Sequence, residues 1–409
     1  MSEGHGSISY LPLPSERRDG VALCLSGGGY RAALFHLGAL RRLNELGVLS
    51  QVDTITSVSG GSIIAAHIAS HAVRNPGAWG EPGGTVPGFE SGIAAPMRRL
   101  SGIDVRTRAV LERAKPWRWL DSNAQIDALD REFEESGIHG ALADLPPRPR
   151  FVFCATDMVF RGGWTFDSRN GRMGGPAPGY CTGSHWRIAR AAAASTCVPL
   201  AFAPLRPGIA PTALSGGAYE ERDRPLLVSK LELVDGGLYD NLGLEPVWRD
   251  HETVLVSDAA PSFMPLPRLG PLWRSLRFAV MLLEQATEVR KRWLISGFLR
   301  GDLEGAYWGI ASKPAHYPYR PPVGPYDSDL IRDPISQVRI DLDVFSEDER
   351  AVLETHGYLM AEIAVQSHAT RLIQRDAELR LPYGDEWLDR RRVQSALLGS
   401  DRTKLFARR

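Results

Sequence analysis

The chain has 409 residues, of which 43% are hydrophobic and 23% charged, and its formal net charge is zero. This composition is typical of a globular protein, and the lack of a basic excess argues against a nucleic-acid-binding function. The four cysteines form no Cys-x-x-Cys pair and no histidine pairing at zinc-site spacing. We therefore expect free thiols in a reducing compartment and no metal site.

Residues 1–19 are mostly polar and are predicted to form an irregular lead-in. They lack the charged segment followed by an apolar core that marks a signal peptide. No apolar run in the chain approaches the ~18 residues that a membrane-spanning helix needs. These features predict a cytoplasmic protein, for which peripheral contact with a membrane stays open.

The first predicted unit is a strand, a glycine triplet and a helix. Residues 21–26, VALCLS, form an apolar run of the buried-strand type, and three glycines at 27–29 end it. Leucines then recur at helical spacing over 34–46, and Gly47 is a plausible stop signal. The next strand follows almost at once, which favours a parallel pair of strands joined by a helix.

Residues 52–70 are predicted to form a second strand and helix, joined at Ser59. The local sequence SVSGG, at 57–61, is a small-x-Ser-x-Gly turn of the kind that holds a serine on a sharp bend with its hydroxyl exposed. The N-terminus of the following helix favours negative charge that develops at the serine. Ser59 is therefore a candidate nucleophile, although Ser-Gly-Gly also occurs in ordinary loops.

The rest of the chain continues this alternation, which favours a mainly parallel sheet with helices on both faces. Strands are predicted at 150–156, 164–166, 231–234, 252–258 and 338–344, and helices at 105–137, 186–194, 272–299, 345–374 and 385–398. Glycine-rich loops are predicted at 74–97, 168–184 and 204–224. We expect one catalytic domain over 20–260, with loop insertions near 74–97 and 204–224, and a mostly helical extension over 261–409 packed on it.

Three features have the chemistry of a hydrolase. The glycines at 27–29 can turn their backbone N–H groups toward one anion, because glycine tolerates the required backbone angles. Serine is a poor nucleophile unless a base takes its proton. Asp235 closes a predicted strand and is followed by two glycines, so a second chain segment can approach its carboxylate. It can be the base for Ser59 if it lies within hydrogen-bond reach.

Together these motifs resemble those of the patatin-like phospholipase family. The family pattern is a GGGx[RK] loop, a GxSxG nucleophile and an Asp-Gly-[Gly/Ala] base, which here read GGGYR at 27–31, SVSGG at 57–61 and DGG at 235–237. The stretch ARAAAASTCVPLAF around Ser195 and the stretch DGGLYDNLGLEP from Asp235 are also similar to the family. The resemblance covers roughly residues 20–260.

The resemblance implies a three-layer α/β/α sandwich with C-terminal helices and an activity that hydrolyses lipid acyl esters, of phospholipase A or lysophospholipase type. It implies Ser59 as nucleophile and Asp235 as base, without a metal or cofactor. The amides of Gly27, Gly28 and Gly29, together with Gly60, form the implied oxyanion hole. The implied partner is a phospholipid or another acyl-ester lipid.

Three other interpretations stay open. An α/β-hydrolase triad needs a histidine after the acid, and His316 is the best placed of the late histidines. GGGYR could instead hold a nucleotide phosphate, although the chain has neither GxxxxGK[ST] nor GxGxxG. The same fold could also serve a catalytically silent lipid-binding protein.

Three smaller features each have two interpretations. Arg31 either contacts the substrate or is a structural ion-pair partner. His67 and His71 lie four residues apart on the helix after Ser59, where we expect packing rather than a metal pair. The helix over 272–299 has an apolar face beside Arg290-Lys291-Arg292, so it either packs on the sheet, the commoner arrangement, or lies on an anionic membrane.

Overall fold

The computed structural model describes residues 18–77, 79–113, 115–119, 121–182, 185–199, 201–219, 222–260 and 270–402. All but the last two residues of the predicted lead-in 1–19 lie outside these ranges. The strands within them are β1 (Val21–Leu25), β2 (Thr54–Val58), β3 (Arg150–Asp157), β4 (Gly162–Asp167), β5 (Arg172–Gly175), β6 (Gly179–Cys181), β7 (Leu233–Asp235), β8 (Thr253–Asp258) and β9 (Glu304–Gly309). The helices are α1 (Gly29–Glu45), α2 (Gly60–Arg74), α3 (Ala95–Ser101), α4 (Val105–Glu112), α5 (Ala124–Glu135), α6 (Ile188–Ser195), α7 (Arg224–Ser229), α8 (Gly237–Asp240), α9 (Gly270–Arg300), α10 (Ser328–Arg332), α11 (Glu347–His368) and α12 (Arg390–Ala396).

These strands form a single mixed sheet in the order β6-β5-β4-β3-β2-β1-β8-β9, with β7 paired to β3 off this path. The centre, from β3 through β2, β1 and β8 to β9, is parallel, while β4, β5 and β6 form an antiparallel flank. Parallel neighbours need a crossover connection, and helices supply it here. The predicted α/β/α fold is confirmed.

The site is positioned by a change in the strand that pairs with β3 on one of its sides. The first part of β3 pairs with β2, and the last of these pairs is Val58 with Cys154. From the next residue onward β3 pairs with β7 instead, beginning with Ala155 opposite Asp235. Beyond the end of β2, β7 therefore occupies the same side of β3. This arrangement brings the residue after Val58 next to Asp235.

Alternate residues of the central strands point into two different layers, as the pleat requires. Leu23 and Leu25 of β1 join the larger core, which also contains apolar side chains of α1, α2, α6 and α11. Ala22 and Cys24 face the opposite layer, where Leu294 of α9 packs. Since α11 and α9 both lie beyond residue 260, the C-terminal part covers the sheet on both faces.

The C-terminal part also differs from the prediction. It contributes β9, an edge strand whose sequence EGAYWG has weak strand propensity and which forms by pairing with β8. The predicted strand over 338–344 is not a strand, and this segment instead covers the glycine loop, where Tyr30 N–H donates to Asp341 O at 2.9 Å. The predicted loop over 168–184 contains β5 and β6, because short antiparallel strands need only tight turns. No helix of the described ranges has both the length and the apolar character to cross a bilayer.

Candidate active site

Ser59 occupies the turn between β2 and α2 in a strained backbone conformation. Its φ of 49° and ψ of −120° lie in a region that non-glycine residues seldom adopt. The two glycines that follow are required by close approach, since a Cβ at Gly60 would collide with Gly29 O and one at Gly61 with Leu25 O. The turn is therefore pressed against the glycine loop, and Ser59 is only 5% exposed.

The glycine triplet fits between this turn and two other segments. Gly28 and Gly29 have φ values of 145° and 59°, which favour glycine over other residues. A Cβ at Gly29 would lie 2.6 Å from Asp341 O, and one at Gly27 would lie 3.1 Å from Ser59 Cβ and collide with the Asn241 side chain. A larger residue would therefore displace the loop, from Ser59 and Asn241 at position 27 and from Asp341 at position 29.

The backbone amides around Ser59 divide into engaged and available donors. Gly27 N–H donates to Asn241 O at 3.2 Å, so this amide is already used. Within the described ranges, the amides of Gly28, Gly29 and Gly60 have no acceptor. Gly29 and Gly60 begin α1 and α2, whose first N–H groups have no partner inside the helix. Gly60 lies against Gly29, since a Cβ on Gly60 would be 2.7 Å from Gly29 N, so the available donors are close together.

Asp235 lies at the end of β7 and is 5% exposed. Its Oδ1 accepts a hydrogen bond from Gly237 N–H at 2.8 Å, while its Oδ2 has no partner of ordinary geometry in the described part of the chain. Burial raises the pKa of the Asp235 carboxyl to about 6, and the Ser59 hydroxyl and the Gly237 amide partly offset that rise. The hydroxyl is thus close enough to act on the carboxyl, although no well-formed hydrogen bond joins them.

Ser195, the last residue of α6, holds both sides of the site and was missed as a site residue in the sequence. Its hydroxyl accepts from Ser59 N–H at 2.9 Å and donates to Cys154 O at 2.6 Å, and it also contacts Ser62 Oγ at 2.9 Å. Its carbonyl accepts from Gly236 N–H at 3.4 Å. The signal available in the sequence was a serine at the end of a predicted alanine-rich helix, within the stretch ARAAAASTCVPLAF.

A comparison with family models matches the patatin-like phospholipases over residues 23–248, more than half of the chain and a span that includes the glycine triplet, Ser59, Ser195 and Asp235. This chain belongs to the patatin-like phospholipase family. Membership of this family supports a lipid hydrolase activity and lipid substrates.

Solved structures resemble this patatin-like phospholipase only distantly. VipD from Legionella pneumophila is 14% identical with a TM-score of 0.37, and the match covers 86% of this chain and 67% of that one. Human GIVD cytosolic phospholipase A2 is 15% identical with a TM-score of 0.37, over 62% of this chain and 46% of the human protein. A search of curated proteins found no match.

Arg31 of this patatin-like phospholipase is buried beneath the glycine loop. Its guanidinium donates to Ala259 O at 2.5 Å and to Val338 O at 2.9 Å, and burial lowers its pKa to about 10. These bonds connect α1 to the end of β8 and to the segment that covers the glycines. The arrangement favours the structural interpretation of Arg31, because its charged end faces backbone carbonyls and not an open cavity.

The histidines of the alternative interpretations lie away from Ser59. His316 follows the edge strand β9 and lines a cavity of about 650 Å³ together with Tyr317 and His368. Two strands separate β9 from β2, which corresponds to about 14 Å across the sheet. His67 is fully buried with neither ring nitrogen bonded to a described residue, and burial lowers its pKa to about 3. His71 is bonded to Pro87 O at 2.8 Å, and the described ranges contain no group of three or more potential metal ligands.

Proposed function

We propose that this patatin-like phospholipase cleaves acyl esters of phospholipids or lysophospholipids with Ser59 as nucleophile and Asp235 as base. The observation that carries the proposal is the register along β3, which sets the residue after Val58 next to Asp235. The Oδ2 of Asp235 supports it, because this buried oxygen has no donor of ordinary geometry among the described residues, and such a costly arrangement is explained by a catalytic role.

The reaction begins when Ser59 Oγ transfers its proton to Asp235 and attacks the ester carbonyl carbon. The carbonyl oxygen becomes an oxyanion that accepts hydrogen bonds from the amides of Gly28, Gly29 and Gly60. The tetrahedral intermediate collapses to an acyl-enzyme, and the leaving alcohol takes the proton from Asp235. Water then loses a proton to Asp235 and attacks the acyl carbon. Release of the fatty acid returns that proton to Ser59.

The environment of Asp235 supports its assignment as base. An unperturbed aspartate has a pKa near 3.9, roughly three units below neutral pH, and is a weak acceptor for a hydroxyl proton. Burial raises the pKa of Asp235 to about 6, so the carboxyl remains mostly ionised at pH 7 but binds a proton more tightly. The reaction also needs donors that stabilise the oxyanion, and the amides of Gly28, Gly29 and Gly60 supply them. Losing one such donor costs roughly 3 kcal/mol of transition-state stabilisation.

Labelling with a fluorophosphonate probe, followed by mapping of the modified peptide, tests this assignment. We expect the probe on Ser59, and we expect Ser59→Ala to lose both labelling and hydrolysis of a soluble short-chain ester. Ser91→Ala is the matched control, because Ser91 is an exposed serine whose hydroxyl bonds only to Gly88 O in the described structure. Undiminished turnover by Ser59→Ala, or a label at another residue, would reject the proposed function.

A further inference from the structure

Helix α9 is much longer than the strands it packs against. It has 31 residues, which corresponds to about 46 Å. Lys291 Nζ pairs with Asp258 Oδ2 at 2.8 Å, so Lys291 is level with the C-terminal end of β8. The helix then runs down to the turn that begins β9. Its first twenty or so residues, about 30 Å, therefore project beyond the edge of the sheet at which Ser59 lies.

The projecting half of α9 has a different surface from the packed half. Leu294 is the first buried side chain in α9 among those described, and the described residues from 274 to 293 are all at least partly exposed. Phe278 is 56% exposed, Leu282 66% and Val289 57%. These three side chains lie within about 40° of one another around the helix axis. They form one apolar stripe that no described part of the chain covers.

The same helix carries most of its charge as arginine and lysine. Six basic residues and only two acidic ones lie within 270–300, although the whole chain is neutral. Arg290 and Lys291 pair inward with Asp240 and Asp258, whereas Arg274 and Arg292 are exposed near the apolar stripe. An apolar stripe flanked by arginine is the pattern of helices that lie at the surface of an anionic bilayer.

A second exposed apolar feature lies at the same end of the sheet. Trp117 and Trp119 are 79% and 74% exposed on the turn after α4. That region is held near the site by Asn123, which donates to Arg206 O at 3.0 Å, next to the Leu205–Leu233 bridge to β7. Tryptophan is enriched where proteins meet the headgroup region of a bilayer.

We propose that the apolar stripe of α9, with the exposed Arg274 and Arg292 beside it, docks on an anionic phospholipid bilayer. The inference rests on the proposed function, because a bilayer is where the proposed substrate resides. The positive charges of Arg274 and Arg292 beside the stripe favour an anionic bilayer over a neutral surface. The stripe binds acyl chains near the interface, and Arg274 and Arg292 bind lipid phosphate and carboxylate groups.

Vesicle sedimentation tests the proposal directly. The protein carries Ser59→Ala so that the lipid is not consumed, and the vesicles contain phosphatidylcholine with or without phosphatidylserine. We expect binding to the phosphatidylserine vesicles, and Phe278→Ser with Leu282→Ser should weaken it about tenfold or more. Leu299→Ser is the matched control, since Leu299 is 83% exposed on the same helix but at its packed end. Arg274→Glu with Arg292→Glu should abolish the preference for phosphatidylserine.

Several results would overturn the proposal: no binding to either vesicle, an equal loss with Leu299→Ser, or a dimer by sedimentation velocity that Phe278→Ser with Leu282→Ser dissociates. The last result would assign the stripe to a second copy of this chain. Hydrolysis of the soluble ester by a Phe278→Ser, Leu282→Ser protein that retains Ser59 shows that this variant is folded. Turnover by Ser59→Ala would reject the proposed function and leave the vesicle result standing.

Discussion

Ser59 and Asp235 are neighbours in space, but the structure holds them in opposite ways. The Ser59 turn is fixed by packing, with glycines pressed against the backbone of Gly29 and Leu25 and with its N–H bonded to Ser195. The Asp235 carboxylate is held only through Oδ1, by Gly237 N–H, while its buried Oδ2 has no partner of ordinary geometry among the described residues. The backbone of the turn is therefore strained, whereas burial of the ionised Asp235 carboxylate costs electrostatic free energy.

This difference predicts different responses to substitution. Changes at the turn should damage geometry, and hence both stability and activity. Removal of the charge at Asp235 should damage activity but relieve a cost to the folded state. The experiments below separate these outcomes, beginning with the largest expected effect.

Gly60→Ala should reduce hydrolysis to background. Its Cβ would collide with Gly29 O, a backbone atom that cannot move without displacing the glycine loop, so we also expect a loss of about 3 kcal/mol or more in the free energy of unfolding. Gly324→Ala is the control, because a Cβ there meets nothing within 4 Å. Ester hydrolysis and urea denaturation measure the two effects. Normal activity in Gly60→Ala would show that the turn tolerates displacement.

Asp235→Asn should lower kcat by about 10²- to 10⁴-fold and yet stabilise the protein at pH 8. Because burial raises the folded-state pKa of Asp235 to about 6, ionisation of this group costs stability as the pH rises from about 4 through 6. Asparagine keeps an acceptor for Gly237 N–H and avoids that cost, which is about 2–3 kcal/mol. Thermal denaturation at pH 8 should show the gain, and the gain should vanish below about pH 4. A variant that is less stable at pH 8 would contradict this account.

Ser195→Ala should lower kcat by about 10- to 100-fold while changing KM little, since it removes the acceptor for Ser59 N–H without touching the substrate. It should also cost about 1–3 kcal/mol of stability. Ser70→Ala is matched to it: Ser70 is a buried serine of α2 that donates to Gly137 O and accepts from His139 N–H, but at the far end of the helix. Equal losses of kcat in both variants would remove the positioning role from Ser195.

The pH dependence of kcat/KM should show the smallest effect, about a tenfold change per pH unit. Asp235 must be ionised to accept the Ser59 proton, so kcat/KM should fall as the pH drops through about 6 and level off above pH 7. The profile is measured with a soluble ester whose own ionisation lies outside this range. An inflection near pH 4 would mean that the base is an ordinary exposed carboxyl.

Local patterns predicted the first half of the site well. The glycine triplet, the strand before Ser59 and the helix after it follow from residues close together in the chain, and the structure contains β1, α1, β2 and α2 where they were predicted. The roles of Ser59 and Asp235 remain predictions. β9 was missed because a strand with two glycines forms only when β8 is beside it.

The sequence by itself determined the order of the elements, the α/β/α class and the family, because periodicity and motif spacing are properties of neighbouring residues. Only the tertiary structure decided that β7 takes over from β2 along β3 and that the Gly27 amide is engaged. It also decided that, within the described ranges, the amides of Gly28 and Gly29 have no acceptor and half of α9 is uncovered. Strand register, hydrogen-bond partners and burial depend on contacts between residues far apart in the chain. No local propensity specifies those contacts.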